Sequence, residues 1–132
     1  MDKASVSILI VEDSKFMIGL IEKALSSAGY TNTCTAGSGN QAIKLLDDTI
    51  FDIVFLDINM KDGDGISLLS EINKKLYQTG YLKPKCIIVS AVDQDDVRKE
   101  VSGLGAFGYI NKPFSEEDIV KYADKATSVI FK

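Results

Sequence analysis

The sequence predicts an α/β fold: a doubly wound, five-stranded parallel sheet with helices on both faces. Three observations predict it. Short apolar, β-branched runs alternate with longer segments of helical spacing, five times along the chain. The clearest runs are continuously apolar rather than alternating, as strands covered on both faces are. Capping and turn residues stand at the junctions between the two kinds of segment.

The first strand is expected over residues 6–11. The helix after it carries Met17, Leu20, Ile21, Ala24, Leu25 and Ala28 at spacings of three and four, and Gly29 stands where a C-cap would. Residues 31–36 are less apolar and read as an edge strand. Ser38 is placed to cap a short helix marked by Ala42, Ile43, Leu45 and Leu46. The third strand is expected over 52–56, followed by a helix with Ile66, Leu69, Ile72 and Leu76 on one face. Residues 77–83 read as a polar connection, and Pro84 leads into a fourth strand over 86–89. Val97, Val101 and Leu104 mark the next helix, and 107–110 a weaker fifth strand. Ser115, with Asp118 three residues on, opens a last helix carrying Ile119, Tyr122, Ala123, Ala126 and Ile130. The crossovers of such a chain are right-handed, so the helices cover both faces of the sheet.

All 132 residues (1–132) are expected to form one domain, large enough to bury a core without disulfides or a structural metal. A net charge of −4 argues against a nucleic-acid surface and permits a bound cation. Residues 1–7 lack the apolar run of a secretory signal, and no segment has the length of a membrane span. A cytoplasmic location follows as the expectation. Cys34 and Cys86 both fall in β-like runs and read as two small buried apolar residues in a reducing compartment. The chain has no histidine, which excludes the usual zinc chemistry and a Ser-His-Asp triad.

A parallel sheet gathers the C-terminal ends of its strands on one rim, where ligands bind. The residues that follow the strands here are Glu12 and Asp13, then Asp57 with Asn59 two positions on, then Ser90, then Lys112 and Pro113. Three carboxylates brought together repel, and a hard divalent cation resolves the repulsion. Mg2+, or Mn2+ in its place, suits oxygen ligands of this kind. Asp13 and Asp57 are the expected direct ligands, with Glu12 direct or through water and the Asn59 backbone carbonyl as a further ligand. Lys112 offers a compact positive charge for a phosphate oxygen, and Ser90 a hydroxyl donor. Asp57 leaves a central strand and is the expected nucleophile, forming an acyl phosphate. No GxxxxGK[ST] loop occurs, so the phosphoryl donor is expected to be another protein or a small phosphodonor.

With these residues in place, the chain resembles the receiver domain of two-component response regulators from about Ser5 to Ile130. The matching motifs are ILIVEDS at 8–14, DIVFLDINM at 52–60, the Asp64-Gly65 pair, IIVSA at 87–91 and GAFGYINKPF at 105–114. The resemblance implies a flavodoxin-like strand order, 2-1-3-4-5. It implies Glu12 and Asp13 as the metal-binding acidic pair, Asp57 as phosphoacceptor, and Ser90 and Lys112 as the groups that meet the phosphate. It also implies a cis peptide before Pro113 and a switch aromatic at Tyr109. The surface of residues 92–105, the fifth strand and the last helix would then change shape for a partner. The partners implied are a sensor histidine kinase or phosphotransfer protein upstream and an effector protein downstream. No nucleic-acid contact or membrane insertion is implied. The domain would be no enzyme in the ordinary sense, though it would catalyse its own phosphorylation and dephosphorylation.

Two positions depart from the family pattern. Lys61 stands where many members have proline, and Gly63 loosens the same loop. The resemblance implies that Asn59, two residues after Asp57, and Val92, two after Ser90, flank the attacking water; an aliphatic Val92 cannot hydrogen-bond it, so fast self-dephosphorylation is not expected. Competing readings are a receiver excised from a transcription factor or hybrid kinase, a phosphorylation-independent pseudo-receiver, and an Asp-nucleophile phosphatase. The last wants a second aspartate at position 59, where this chain has Asn59.

Overall fold

The computed structural model describes residues 2–60, 65–79, 84–91 and 95–130. Five strands and five α-helices alternate in order: β1 (Ile8–Val11), α1 (Lys15–Ser27), β2 (Thr33–Ala36), α2 (Gly39–Asp48), β3 (Ile53–Asp57), α3 (Gly65–Thr79), β4 (Lys85–Ser90), α4 (Asp95–Gly103), β5 (Gly108–Asn111) and α5 (Glu116–Ile130). All strand pairs are parallel and the sheet order is β2-β1-β3-β4-β5. The doubly wound fold expected from the sequence is the fold observed.

The lack of alternation in the central strands has the cause inferred for it. Ile8, Ile10, Ile53, Phe55, Ile87, Val89 and Ile110 face one way and pack with Ile21, Ala24, Leu25, Ile119, Ala123 and Ala126 from α1 and α5. Leu9, Val11, Val54, Leu56, Cys86 and Ile88 face the other way and pack with Ala42, Leu68, Leu69, Ile72 and Val101 from α2, α3 and α4. Each side chain in these strands is thus removed from water, at about 25 cal/mol per Å2 of apolar surface.

The caps hold as well. The Ser38 hydroxyl accepts from Gln41 N at 3.2 Å. Ser115 and Asp118 form a reciprocal box: Asp118 N donates to Ser115 Oγ at 3.2 Å and Ser115 N to Asp118 Oδ2 at 2.9 Å. Gly29 follows the end of α1 with φ +98°, a conformation that favours glycine.

Four expectations are corrected. β1 begins at Ile8, because Val6 closes a short 3₁₀ turn at Lys3–Ser5 through Val6 N to Lys3 O. Asp52 is not in the third strand; its carboxylate accepts from Ser7 N at 2.9 Å and ties the two strand entrances together. The expected connection over 77–83 is helical as far as Thr79, the last residue before the first helix breaker, Gly80; residues 80–83 lie outside the described residues. Cys34 is exposed, not buried. It lies on the edge strand β2, where only Ala36 is fully covered. Cys86 is buried as expected, and burial pushes its thiol up to about 12.

Candidate functional site

β1 and β3 are neighbours whose chains leave toward opposite edges of the sheet, so the rim between them is the switch point. The strand ends supply the site. Glu12 follows β1 and continues its ladder through Glu12 N to Ala36 O at 3.0 Å. Asp57 ends the central strand β3, Ser90 ends β4, and Lys112 follows β5. Glu12, Asp57 and Ser90 are the buried polar residues of the fold, at 1 %, 3 % and 0 % exposure among the described residues.

Burying two carboxylates side by side is costly unless a positive charge joins them. Lys112 Nζ lies 3.3 Å from Glu12 Oε2 and 3.3 Å from Asp57 Oδ2. Glu12 Oε1 also accepts from Ser14 N at 3.1 Å, which fixes its second oxygen at the entrance to α1. Burial raises the Glu12 carboxyl above the ordinary carboxylate range. The Ser14 bond opposes that shift, the Asp57 charge adds to it, and Lys112 lowers it again.

Asp13 is exposed beside this pair. One oxygen each of Glu12, Asp13 and Asp57 lies within 4.8 Å of the others. Three carboxylates this close repel one another, and a cation among them offsets that repulsion. An all-oxygen set of three carboxylates fits a hard divalent cation, which keeps waters beside a few carboxylates.

The remaining residues are placed by the loop after β3. Asn59 N donates to Asp57 Oδ1 at 2.8 Å. The Asn59 side chain reaches across to β4, where its Oδ1 accepts from Ser90 Oγ at 2.9 Å and from Ala91 N at 3.1 Å. Lys112 N donates to Ser90 O at 2.8 Å, which ties the ends of β4 and β5. Gly65 opens α3 directly beneath this loop. A Cβ there would lie 2.4 Å from Ile58 Cα and 2.7 Å from Asp57 O, so a side chain at 65 would displace the backbone that carries Asp57.

The sequence-predicted residues Glu12, Asp13, Asp57, Asn59, Ser90 and Lys112 therefore meet on one rim. The Lys112-Pro113 peptide is cis, as the resemblance implied. Tyr109 sits on β5, half-buried against the α3 and α4 side of the sheet, with the Arg98 guanidinium 4.4 Å from its ring centre. Lys61, Gly63, Asp64 and Val92 lie outside the described residues. Sequence reasoning set Asn59 beside an attacking water but missed its side-chain bonds to Ser90 and Ala91, and it missed Arg98.

Comparison with known proteins decides the family. The family model of the response regulator receiver domain matches residues 8–124. The chain belongs to the response regulator receiver domain family. The chemotaxis protein CheY of Listeria monocytogenes is 31% identical over 121 residues, covering 92% of this chain and 98% of that protein. The transcriptional regulatory protein PmrA of Pectobacterium parmentieri is 36% identical over 110 residues, 83% of this chain but 47% of its own length. The chain thus spans about half the length of that relative. Among solved structures, the receiver domain of the Francisella response regulator 1452 superposes with a TM-score of 0.83 at 26% identity. That match covers 96% of this chain and 99% of that one. As a receiver domain, the protein is a component of two-component signalling, and its fold carries an acidic cluster able to hold a metal ion. Among the described residues, no helix is long and apolar enough to cross a membrane.

Proposed function

We propose that residues 1–132 act as one receiver unit that takes a phosphoryl group onto the Asp57 carboxylate. The donor in this reading is a phosphohistidine on a sensor histidine kinase or phosphotransfer protein. A carboxylate oxygen of Asp57 forms a bond to phosphorus as the histidine N–P bond breaks, and the imidazole leaves with its electron pair. The observation that carries the reading is the ammonium of Lys112 shared at 3.3 Å by the two buried carboxylates Glu12 and Asp57, with an Asp13 oxygen within 4.8 Å of an oxygen of each.

Glu12, Asp13, Asp57 and the Asn59 backbone carbonyl would hold Mg2+, or Mn2+ in its place. That ion, when bound, supplies positive charge to the oxygens of the transferring group. Asn59 N orients the acceptor by donating to Asp57 Oδ1. Lys112 offsets charge on the incoming group from its place beside Asp57 Oδ2. The Ser90 hydroxyl donates to a phosphoryl oxygen.

Aspartyl phosphate adds roughly −1.5 to −2 charge and three acceptor oxygens. Ser90 and Lys112 bind those oxygens in one arrangement of their loops, which becomes the favoured one. Tyr109 turns inward as Ser90 moves, and the α4–β5–α5 face changes shape for an effector protein. The domain works in the cytoplasm, without nucleic-acid or membrane contact of its own.

Intact-mass measurement after incubation with acetyl phosphate and Mg2+ tests this. The expected result is the gain of one phosphoryl group, absent in Asp57→Asn and absent without metal. A gain that persists in Asp57→Asn would overturn the assignment of the acceptor.

A further inference from the structure

The two donors at the end of β4 are a hydroxyl, Ser90 Oγ, and a backbone amide, Ala91 N. Both converge on one oxygen, Asn59 Oδ1, at 2.9 and 3.1 Å. A hydroxyl and an amide aimed at a single point are what a phosphoryl oxygen requires for binding. Asn59 is also tied to the acceptor itself, through its own N–H to Asp57 Oδ1 at 2.8 Å. One residue therefore touches both the acceptor carboxylate and the donors next to it. The Ser90 backbone is anchored from the other side by Lys112 N, which donates to Ser90 O.

We propose that the Asn59 side-chain carbonyl is an internal competitor for the phosphoryl group: it engages Ser90 Oγ and Ala91 N in the unmodified domain and must release them for the switch to set. The inference rests on the reading of Asp57 as phosphoryl acceptor. It assigns Asn59 a positioning role exerted through Ser90, distinct from any metal contact of its backbone carbonyl. Its side chain biases the domain toward the unmodified arrangement. The bias is modest, because the bonds exchanged are ordinary neutral ones replaced by charge-assisted ones. A modest bias is what keeps a switch off without preventing it from turning on.

The test is a double-mutant cycle on the whole chain with Asn59→Ala, Ser90→Ala and the pair. Two ligands are titrated calorimetrically: Mg2+ alone, then trifluoroberyllate, a tetrahedral phosphoryl mimic, at saturating Mg2+. Asn59 is exposed and its backbone is kept, so Asn59→Ala is expected to fold, checked by its melting curve. Asn59→Ala is expected to bind trifluoroberyllate about fivefold tighter, the worth of one ordinary hydrogen bond. The gain should shrink to under about twofold in the Ser90→Ala background. A structural role alone would not produce tighter binding of one ligand that depends on Ser90. Equal or weaker trifluoroberyllate binding by Asn59→Ala, with normal binding by wild type, overturns the competitor and leaves the receiver chemistry standing. A full gain in the Ser90→Ala background overturns it too. A wild-type chain that binds neither Mg2+ nor trifluoroberyllate overturns the acceptor reading, and the competitor falls with it.

Discussion

Two regions of this domain hold polar groups inside a packed fold, and they solve the problem in opposite ways. At the rim, two buried carboxylates share one ammonium, and a third, exposed carboxylate lies within 4.8 Å of them, a grouping of oxygens that suits a cation. Where α1 and α5 pack side by side, Tyr30 is fully buried and its hydroxyl donates to Asp124, with Thr127 Oγ1 at 3.1 Å. Lys3 completes that cluster, 3.2 Å from Asp124 and with its ammonium 5.2 Å from the Tyr30 ring centre. The Thr127 hydroxyl donates to Ala123 O at 2.8 Å. In the second cluster charges are matched one to one and each hydroxyl proton has a receiver. A balanced cluster fixes two helices; an unbalanced one waits for a ligand.

The largest test of that contrast removes Lys112. Lys112→Met leaves Glu12 and Asp57 buried side by side without their counter-charge. Breaking a buried pair in this way costs about 3 kcal/mol or more. Urea unfolding without metal should show that loss. Saturating Mg2+ should restore much of it, at about 2.7 kcal/mol when the ion stands at 100 times its Kd. A loss that Mg2+ does not repair would mean that Lys112 holds the fold rather than balances a ligand site.

The next test falls on Tyr30. Burial first, and the bond to Asp124 second, push its phenol up to about 12. The unfolded phenol titrates near 10. The folded state therefore holds this proton more tightly than the unfolded one. Its contribution is fully present below pH 10 and is lost as pH rises from about 10 to 12. The loss is about 2.7 kcal/mol across that window. Lysines titrate in the same range, so the difference between wild type and Tyr30→Phe isolates the effect. Tyr30→Phe should cost about 1 kcal/mol at pH 7, and the gap should close above pH 10 and reverse before pH 12. A gap that stays constant to pH 12 would place the stabilisation in ring packing rather than in the hydroxyl.

The same contrast explains what was legible in the sequence. Glu12, Asp13, Asp57, Ser90 and Lys112 could be named because a parallel sheet brings the C-terminal ends of its strands to one edge, whatever the side chains do. Backbone topology alone makes them neighbours. The Tyr30 cluster depends on a contact between residues 94 apart in sequence, through a loop tyrosine that no periodicity marks. Asn59 was legible as a metal-side residue by its spacing from Asp57, but its side chain turns to Ser90, and a rotamer leaves no trace in a pattern. Cys34 was misread because a β-like run gives the strand and not its cover; burial at the edge depends on how far α2 reaches. The end of α3 was misread because polar residues without a glycine or proline still continue a helix.

The smallest effect belongs to Lys3. Its ion pair with Asp124 joins two side chains that are 43% and 46% exposed, where water already screens both charges. Exposed pairs contribute about 1 kcal/mol or less. Lys3→Met should therefore lower stability by no more than about 0.5 kcal/mol, and salt should erase the difference, since the screening length falls to about 3 Å at 1 M. Lys3 and Lys112 both hold a carboxylate at nearly the same distance, 3.2 and 3.3 Å. If burial rather than distance sets the worth of an ion pair here, the two substitutions must differ about sixfold in free energy. Equal losses would break the comparison, because Lys3 would then be holding the helix pair through its packing on the Tyr30 ring.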